Sequence, residues 1–314
     1  MAGELKLIAG NSNPKLAAEI SHCLGISLCD VSVQKFPDGE SSVHIRETVR
    51  GEDVFIIQST SPPVNDHTME LLLMIDALKR ASARQITAVI PYYGYARQDR
   101  KHIGRVPISA RLIANFIEVA GADRMLTLDL PAGQIQGFFN IPVDNLRIDP
   151  IVAKHLTNSG LAENSVIVAP DVGAAKRASS VAERLHLPYA IVEKSRVSEK
   201  TGEVQARTII GNVKGKIAII VDDIIATGGT VVAAAQLLKD EGAKEVHATF
   251  SHGVFAADAV AKLEKSQIKS IGVTNSIPPP ESEKIQEISV GKVFADIIQR
   301  VYEGQSVSQL FPHY

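Results

Sequence analysis

Cysteine is nearly absent. Only Cys23 and Cys29 occur among 314 residues. They are too few for a disulfide framework and do not form a C-x-x-C pair, so buried or idle thiols in a reducing compartment are expected. Long apolar runs are missing too, since none approaches the ~20 residues that span a bilayer. Neither sign of charge is in excess: 33 Lys and Arg against 35 Asp and Glu leave a net charge of −2. That balance argues against nucleic acid or membrane as a general partner, so any basic patch must be local. The first residues, Met1-Ala-Gly-Glu-Leu-Lys6, carry no secretory pattern, and a cytoplasmic location is the expectation.

What is present is an ordinary globular composition, 45% hydrophobic and 22% charged, in a chain long enough for two domains. Short apolar strands alternate with helical patterns, which points to an α/β fold with mostly parallel sheets flanked by helices. In the first half Leu5–Ala9, Val54–Gln58, Ile86–Ile90 and Met125–Leu130 read as strands. Pro14–Leu24 and Asp66–Ala83 read as helices, the second with Asn65 or Asp66 as cap. Another helix from Pro107 places Leu112, Ile113, Phe116, Ile117 and Ala120 on one face and stops at Gly121. In the second half the strands are Val166–Ala169, Tyr189–Val192, Ile217–Val221 and Val246–Phe250, and the helices Ala174–Leu185 and Val231–Leu238. A last helix, Lys292–Tyr302, has an apolar face for packing, with a return to the first domain as one option.

The two halves repeat one plan. Leu24 falls on Leu185, Val54 on Ile217 and Ala83-Arg-Gln-Ile-Thr-Ala88 on Ala243-Lys-Glu-Val-His-Ala248, at offsets of 161, 163 and 160. So steady an offset reads as two tandem copies of one domain, 1–147 and 148–314.

Chemistry concentrates in Ile217-Ala-Ile-Ile-Val-Asp-Asp-Ile-Ile-Ala-Thr-Gly-Gly-Thr230. An apolar strand runs into Asp222 and Asp223, then a glycine turn, then a helix. Glycines let backbone N–H groups approach a phosphate, and the helix N-terminus adds partial positive charge. The carboxylates suit sugar hydroxyls, so a phosphorylated sugar fits both ends; a plain βα turn is the alternative. No lysine follows the glycines as a Walker A loop requires, and no G-x-G-x-x-G is present. The first copy has Ser59-Thr60-Ser61-Pro62-Pro63 at the equivalent place, without acids or glycines. One sugar site per chain is expected. Two further stretches stand out in the first half. Tyr95-Ala-Arg-Gln-Asp-Arg-Lys-His-Ile-Gly-Arg105 reads as a polyanion site or a solvated basic loop. Lys35-Phe-Pro-Asp-Gly-Glu40 reads as a hairpin turn whose aromatic and acceptors could engage a purine.

The loop at Asp222–Thr230 resembles the phosphoribosyl-diphosphate-binding loop of type I phosphoribosyltransferases. Together with Phe36-Pro-Asp-Gly-Glu40, Ala96-Arg-Gln-Asp-Arg100, Gln134-Ile-Gln-Gly-Phe-Phe139 and Pro170-Asp-Val-Gly-Ala-Ala-Lys-Arg177, it makes the chain from about Leu7 onward resemble the ribose-phosphate diphosphokinases. The resemblance implies two type I phosphoribosyltransferase-like domains and transfer of the diphosphoryl group of ATP to ribose 5-phosphate, with Mg²⁺. By motif match, Phe36, Asp38, Gly39 and Glu40 would hold adenine, that of a neighbouring subunit's ATP, and Arg97 and Gln98 would contact the nucleotide. Asp222 and Asp223 would take the ribose hydroxyls, and Ala226, Thr227, Gly228, Gly229 and Thr230 the 5-phosphate. Asp171 would hold the metal, and Lys194 and Arg196, opening the polar segment Lys194–Gly202, would be catalytic; a surface hairpin with solvated charges is the other reading of that segment. A homo-oligomer, commonly a hexamer, with phosphate and ADP as effectors is also implied. Ser251-His-Gly-Val-Phe255 matches a family stretch as well, with His252 read as a satisfied βα-loop histidine.

The sequence departs from the family pattern at Pro131, where a metal-binding histidine is usual, leaving a water, Asp129 or Asp171 to cover the loss. Ala226 stands where aspartate is usual. These departures keep a regulatory, non-catalytic paralogue in view beside the active enzyme, and a phosphoribosyltransferase as a third reading.

Overall fold

A computed structural model describes residues 3–195 and 206–308, with only the backbone described at residues 194, 195, 206 and 207. The chain divides into two compact units, Met1–Arg147 with Asn275–Pro278 and Ser289–Tyr314, and Ile148–Thr274 with Pro279–Ile288.

The first unit runs β1 (Leu5–Ala9), α1 (Pro14–Leu24), β2 (Val31–Lys35), β3 (Ser41–Ile45), β4 (Asp53–Ile57), α2 (Val64–Arg80), β5 (Gln85–Ile90), α3 (Ser109–Ala120), β6 (Arg124–Leu128) and β7 (Val143–Leu146). The second runs α4 (Asp149–Asn158), β8 (Ser165–Ala169), α5 (Ala175–Leu185), β9 (Tyr189–Ser195), β10 (Ala206–Ile210), β11 (Ile217–Ile225), α6 (Gly229–Asp240), β12 (Glu245–Gly253), α7 (Ala259–Glu264), β13 (Ile268–Thr274) and β14 (Ile285–Ile288). The final helix, α8 (Gly291–Tyr302), lies in the first unit.

Sheet order demonstrates the duplication. The first unit has β1-β4-β5-β6-β7 and the second β8-β11-β12-β13-β14, both parallel throughout. Element for element the orders match. They differ in the hairpin that follows: β9 and β10 extend the second sheet from β8, whereas β2 and β3 pair only with each other. Every residue of β4 and β8 is buried, as expected of parallel strands covered on both faces. Helix ends follow local chemistry. The Asn13 side chain accepts from Leu16 N at 3.2 Å with Pro14 opening α1, and Gly25 at φ 68° closes it.

Three expectations change, and one open option is taken up. Helix α2 starts at Val64, after Pro63 and without a side-chain cap, because proline at the helix entrance brings no N–H to satisfy. Helix α3 buries Ala110, Ile113, Ala114 and Ile117, so the i, i+3, i+4, i+7 stripe of small and branched residues faces the core. Leu112 and Phe116, expected on that face, are 47% and 46% exposed. Strand β11 does not stop where the acids begin but continues through them to Ile225, since β12 pairs along its whole length. Residues 275–278 and 289–314 leave the second copy for the first unit. There α8 buries Phe294, Ala295, Ile297 and Ile298, and Ser289 Oγ donates to Glu19 of α1.

Candidate functional site

In the second unit β11 pairs with both neighbours up to Ile220↔Val168 and then with β12 alone up to Ile225↔Gly253. The strand thus carries Asp222 and Asp223 past the end of β8, where the chain turns at Pro170-Asp171. Asp171 accepts from Gly173 N at 2.9 Å and Ala174 N at 3.3 Å, capping a short 3-10 turn. Asp222 accepts from Asp223 N at 2.8 Å. Burial, then the neighbouring charge of Asp223, with a smaller contribution from Asp171, pushes the Asp222 carboxyl up to about 7. A group in that state gains from hydroxyl donors or a cation.

The turn that follows leaves backbone N–H groups without a side-chain cap. Gly228 sits at φ 74°, a left-handed conformation that suits glycine, and α6 begins at Gly229 with no side-chain cap. Thr227, Gly229 and Thr230 are exposed, and a Cβ added at Gly229 would meet nothing within 4 Å. The turn is propped from behind by a segment that the sequence marked only through its Ser251–Phe255 motif. Ile225 O accepts from Val254 N at 2.9 Å, and Ala226 O from Ala256 N at 3.0 Å. Between the two donors Phe255 takes a positive φ of 44°. His252 is a buried residue of β12 itself, opposite Ile224 and Thr274, and not a loop residue.

In the first unit the equivalent turn is closed. Ser59, Thr60 and Ser61 are buried, with Ser59 Oγ donating to Ser276 O at 2.6 Å and Thr60 Oγ1 accepting from Gly94 N at 2.6 Å. Their polar groups serve packing. Beyond β5, Val64, Tyr92, Tyr95, Arg97 and Gln98 line a cleft of about 510 Å³. Arg97 is exposed, while Gln98 Oε1 accepts from Ser109 Oγ at 2.6 Å. Tyr95 holds φ 62°, and its hydroxyl donates to Asn65 at the start of α2.

Phe36, Asp38, Gly39 and Glu40 form the tip of the β2–β3 hairpin. Phe36 N donates to Glu40 O at 2.8 Å, Gly39 N to Phe36 O at 2.9 Å and Glu40 N to Asp38 Oδ1 at 3.1 Å, with Gly39 at φ 95°. All four side chains or backbones face solvent, Phe36 at 53% exposure. Lys35 pairs with Asp66 in the first turn of α2. The hairpin and the cleft residue Val64 therefore share one helix end.

Lys194 is opposite Arg207 near the end of the β9–β10 ladder; Arg196 and the rest of Lys194–Gly202 beyond residue 195 lie outside the described residues. Asp129 is buried at φ 43°, with its N–H on Leu146 O at 2.7 Å, and Pro131 is half-buried two residues later. Among the described residues no three His, Cys, Asp or Glu side chains converge as a ready metal cage. The sequence missed Tyr92 and Val64 as cleft residues, because an aromatic and a valine beside buried strands read as core.

Comparison with known families matches residues 5–121 to the N-terminal domain of ribose phosphate pyrophosphokinase and residues 201–312 to a phosphoribosyl synthetase-associated domain. The ribose-phosphate pyrophosphokinase of Caldanaerobacter subterraneus subsp. tengcongensis is 54% identical over 310 residues, covering 98% of each chain. That of Bacillus subtilis is 52% identical over 310 residues, covering 98% of this chain and 97% of the relative. Among solved structures, the phosphoribosylpyrophosphate synthetase from Mycobacterium smegmatis superposes with a TM-score of 0.90 at 39% identity, covering 96% of this chain and 99% of that one.

Proposed function

The chain belongs to the ribose-phosphate pyrophosphokinase family, and from that premise we propose how its residues divide the work. The protein is an enzyme that transfers the diphosphoryl group of ATP to the 1-hydroxyl of ribose 5-phosphate, giving 5-phospho-ribose 1-diphosphate and AMP. The observation that carries the assignment is the acid pair on β11, set a few residues before an uncapped helix and a left-handed glycine. Acceptors for hydroxyls stand at one end and donors for a phosphate at the other.

In this reading Asp222 and Asp223 accept hydrogen bonds from the ribose hydroxyls, and the backbone from Ala226 through Thr227, Gly228 and Gly229 to Thr230 cradles the 5-phosphate. Phe36 stacks on adenine, with Asp38 and Glu40 as acceptors for its amino group and Gly39 permitting the tight tip. Arg97 and Gln98 contact the nucleotide, Arg97 at its phosphates. Lys194 and Arg196 neutralise the charge that spreads over the non-bridging oxygens during transfer.

Mg²⁺ supplies further charge neutralisation at the phosphates when bound. The chain's donors fit it: Asp171 lies near enough to the acid pair to add its charge, after burial and Asp223, to the upward shift of Asp222, and Mg²⁺ commonly needs only one or two carboxylates beside substrate phosphates. Pro131 offers no donor, so Asp171, with Asp129 or water, carries the role. The rate of AMP formation from ATP and ribose 5-phosphate, followed against free Mg²⁺ and Mn²⁺, tests reaction and metal together. Turnover is expected with both ions, and Pro131→His is expected to lower the half-saturating concentration by roughly tenfold, in line with the worth of one added ligand or its support. Identical curves would remove Pro131 from the metal account, and absence of AMP at every concentration would remove the reaction.

A homo-oligomer, a hexamer by family resemblance, with phosphate and ADP as effectors, completes the reading. The second apolar stripe of α3 supports assembly: Leu112, Phe116 and Val119 are exposed at 47%, 46% and 86%. No described helix is long and apolar enough to cross a membrane, and a cytoplasmic location is proposed with the metabolism it serves.

A further inference from the structure

The hairpin that carries Phe36 is not a member of the five-stranded sheet. Its backbone is tied to that sheet at the foot, where Cys29 N donates to Leu7 O of β1 at 2.8 Å beside the Leu7↔Leu28 bridge, and no ladder runs on along β2 or β3 to set the direction of the tip. Val31, Val33, Val43 and Ile45 pack it against the first unit's core, but apolar contact is non-directional. Beyond that foot, few polar bonds orient its strands. One is the Lys35–Asp66 pair between half-exposed groups, of the kind that contributes little. Another is Asn11 Nδ2 donating to Val33 O of β2 at 3.2 Å.

Asn11 is itself held. The same Nδ2 donates to Glu70 Oε1 at 2.9 Å, and Glu70, on α2, is only 4% exposed. Its other oxygen, Oε2, accepts from Gln58 Nε2 at 2.8 Å. Gln58 is fully buried and committed on both ends, with Nε2 also on His67 O at 3.2 Å and Oε1 accepting from Ser12 N at 3.1 Å. Gly10 presses against it so closely that a Cβ there would lie 2.3 Å from Gln58 Oε1. Glu70 thus sits between two amide donors, each facing its own oxygen. Burying a carboxylate is costly, and glutamine would fill nearly the same volume. What glutamine cannot do is accept on both sides, because one of its ends must turn an NH₂ toward another NH₂.

We infer that Glu70 is a positioning residue for the nucleotide hairpin, acting through Asn11 on the Val33 carbonyl; this rests on the assignment of Phe36, Asp38 and Glu40 to adenine. The acid fixes which way Asn11 donates, and Asn11 fixes the middle of the strand that leads to the hairpin tip.

Steady-state kinetics of the full-length enzyme with Glu70→Gln, Asn11→Ala, their double variant and Phe36→Ala tests this. KM for ATP is expected to rise roughly five- to tenfold in each single variant at positions 70 and 11, as loss of a hydrogen bond to a charged acceptor implies. The double variant should have the same KM for ATP as the more impaired single, because both act on one path. KM for ribose 5-phosphate and kcat should stay within about twofold, being set elsewhere. A merely structural Glu70 would instead lower thermal stability and active fraction with KM for ATP unchanged, which overturns the inference. Should Glu70→Gln not fold, Asn11→Ala, at an exposed position, carries the same test. Raised KM for ATP in Phe36→Ala with no change at 70 or 11 overturns the inference but leaves the adenine assignment. No change in Phe36→Ala takes down both.

Discussion

Asp222→Asn combined with Asp223→Asn is expected to cut diphosphoryl transfer by roughly 10²–10⁴-fold while making the ligand-free protein more stable above neutral pH. The loss follows from two hydrogen bonds to charged acceptors, each contributing about 1.5–3 kcal/mol. The gain follows from Asp222. Burial and the charge of Asp223 raise its carboxyl from the ordinary 3.8 to about 7. Across that interval the folded state holds a proton that the unfolded state releases. The contribution of Asp222 to stability is therefore complete below the ordinary value and lost as pH rises through about 7. Asparagine has no charge to bury, so the variant's advantage should be partly developed near pH 5 and grow by a further amount on the order of 2 kcal/mol toward pH 8. Denaturant unfolding in metal-free buffer at the two pH values measures it. An equal advantage over the parent at both pH values would mean that Asp222 ionises in the folded protein as freely as in water.

Gly94→Ala is the second large effect, and it falls on the nucleotide side. A Cβ at that position would lie 2.5 Å from Thr60 O and 3.1 Å from both Thr60 Oγ1 and Val64 Cγ1. The carbonyl cannot step aside, because Thr60 N donates to Tyr92 O at 2.9 Å and its hydroxyl accepts from Gly94 N at 2.6 Å. The strand end after β5 must shift instead, and with it Tyr95, Arg97 and Gln98. Overpacking of this kind costs about 1–3 kcal/mol of stability, and a displaced phosphate contact should raise KM for ATP at least roughly tenfold. Affinity for ribose 5-phosphate, measured by calorimetry without nucleotide, should be retained. An unchanged KM for ATP would separate this turn from nucleotide binding.

The two effects have one origin in the duplication. The second copy keeps acids and glycines after β11 and leaves the turn open. The first copy replaced them with Ser59, Thr60 and Ser61, whose hydroxyls are spent inside, and Gly94 packs directly on that closed turn. The repeat was legible because strand cores keep their apolar pattern: Val54 and Ile217 head matching strands in matching sheet orders. The glycine turn was legible from residue type alone, since Gly228 at φ 74° needs no long-range information.

Other features depended on partners distant in sequence. Nothing in Ile217–Ile225 says that pairing with β12 outlasts pairing with β8, which is what sets the acids at an open edge. Leu112 and Ile113 are equally apolar, and only the helix's rotation on the sheet decides which one is buried. Glu70 reads as a surface position on an amphipathic helix until Asn11 and Gln58 are seen beside it. Helix α8 has a clear apolar face, but its partner α1 begins at the other end of the chain, at Pro14.

The most direct measurement is of the products. Phosphorus NMR of the protein incubated with ATP, ribose 5-phosphate and Mg²⁺ should show AMP and a diphosphate on the sugar's anomeric carbon appearing in equal amounts. ADP with a sugar bisphosphate, or ATP left intact with sugar phosphate unchanged, would contradict the account.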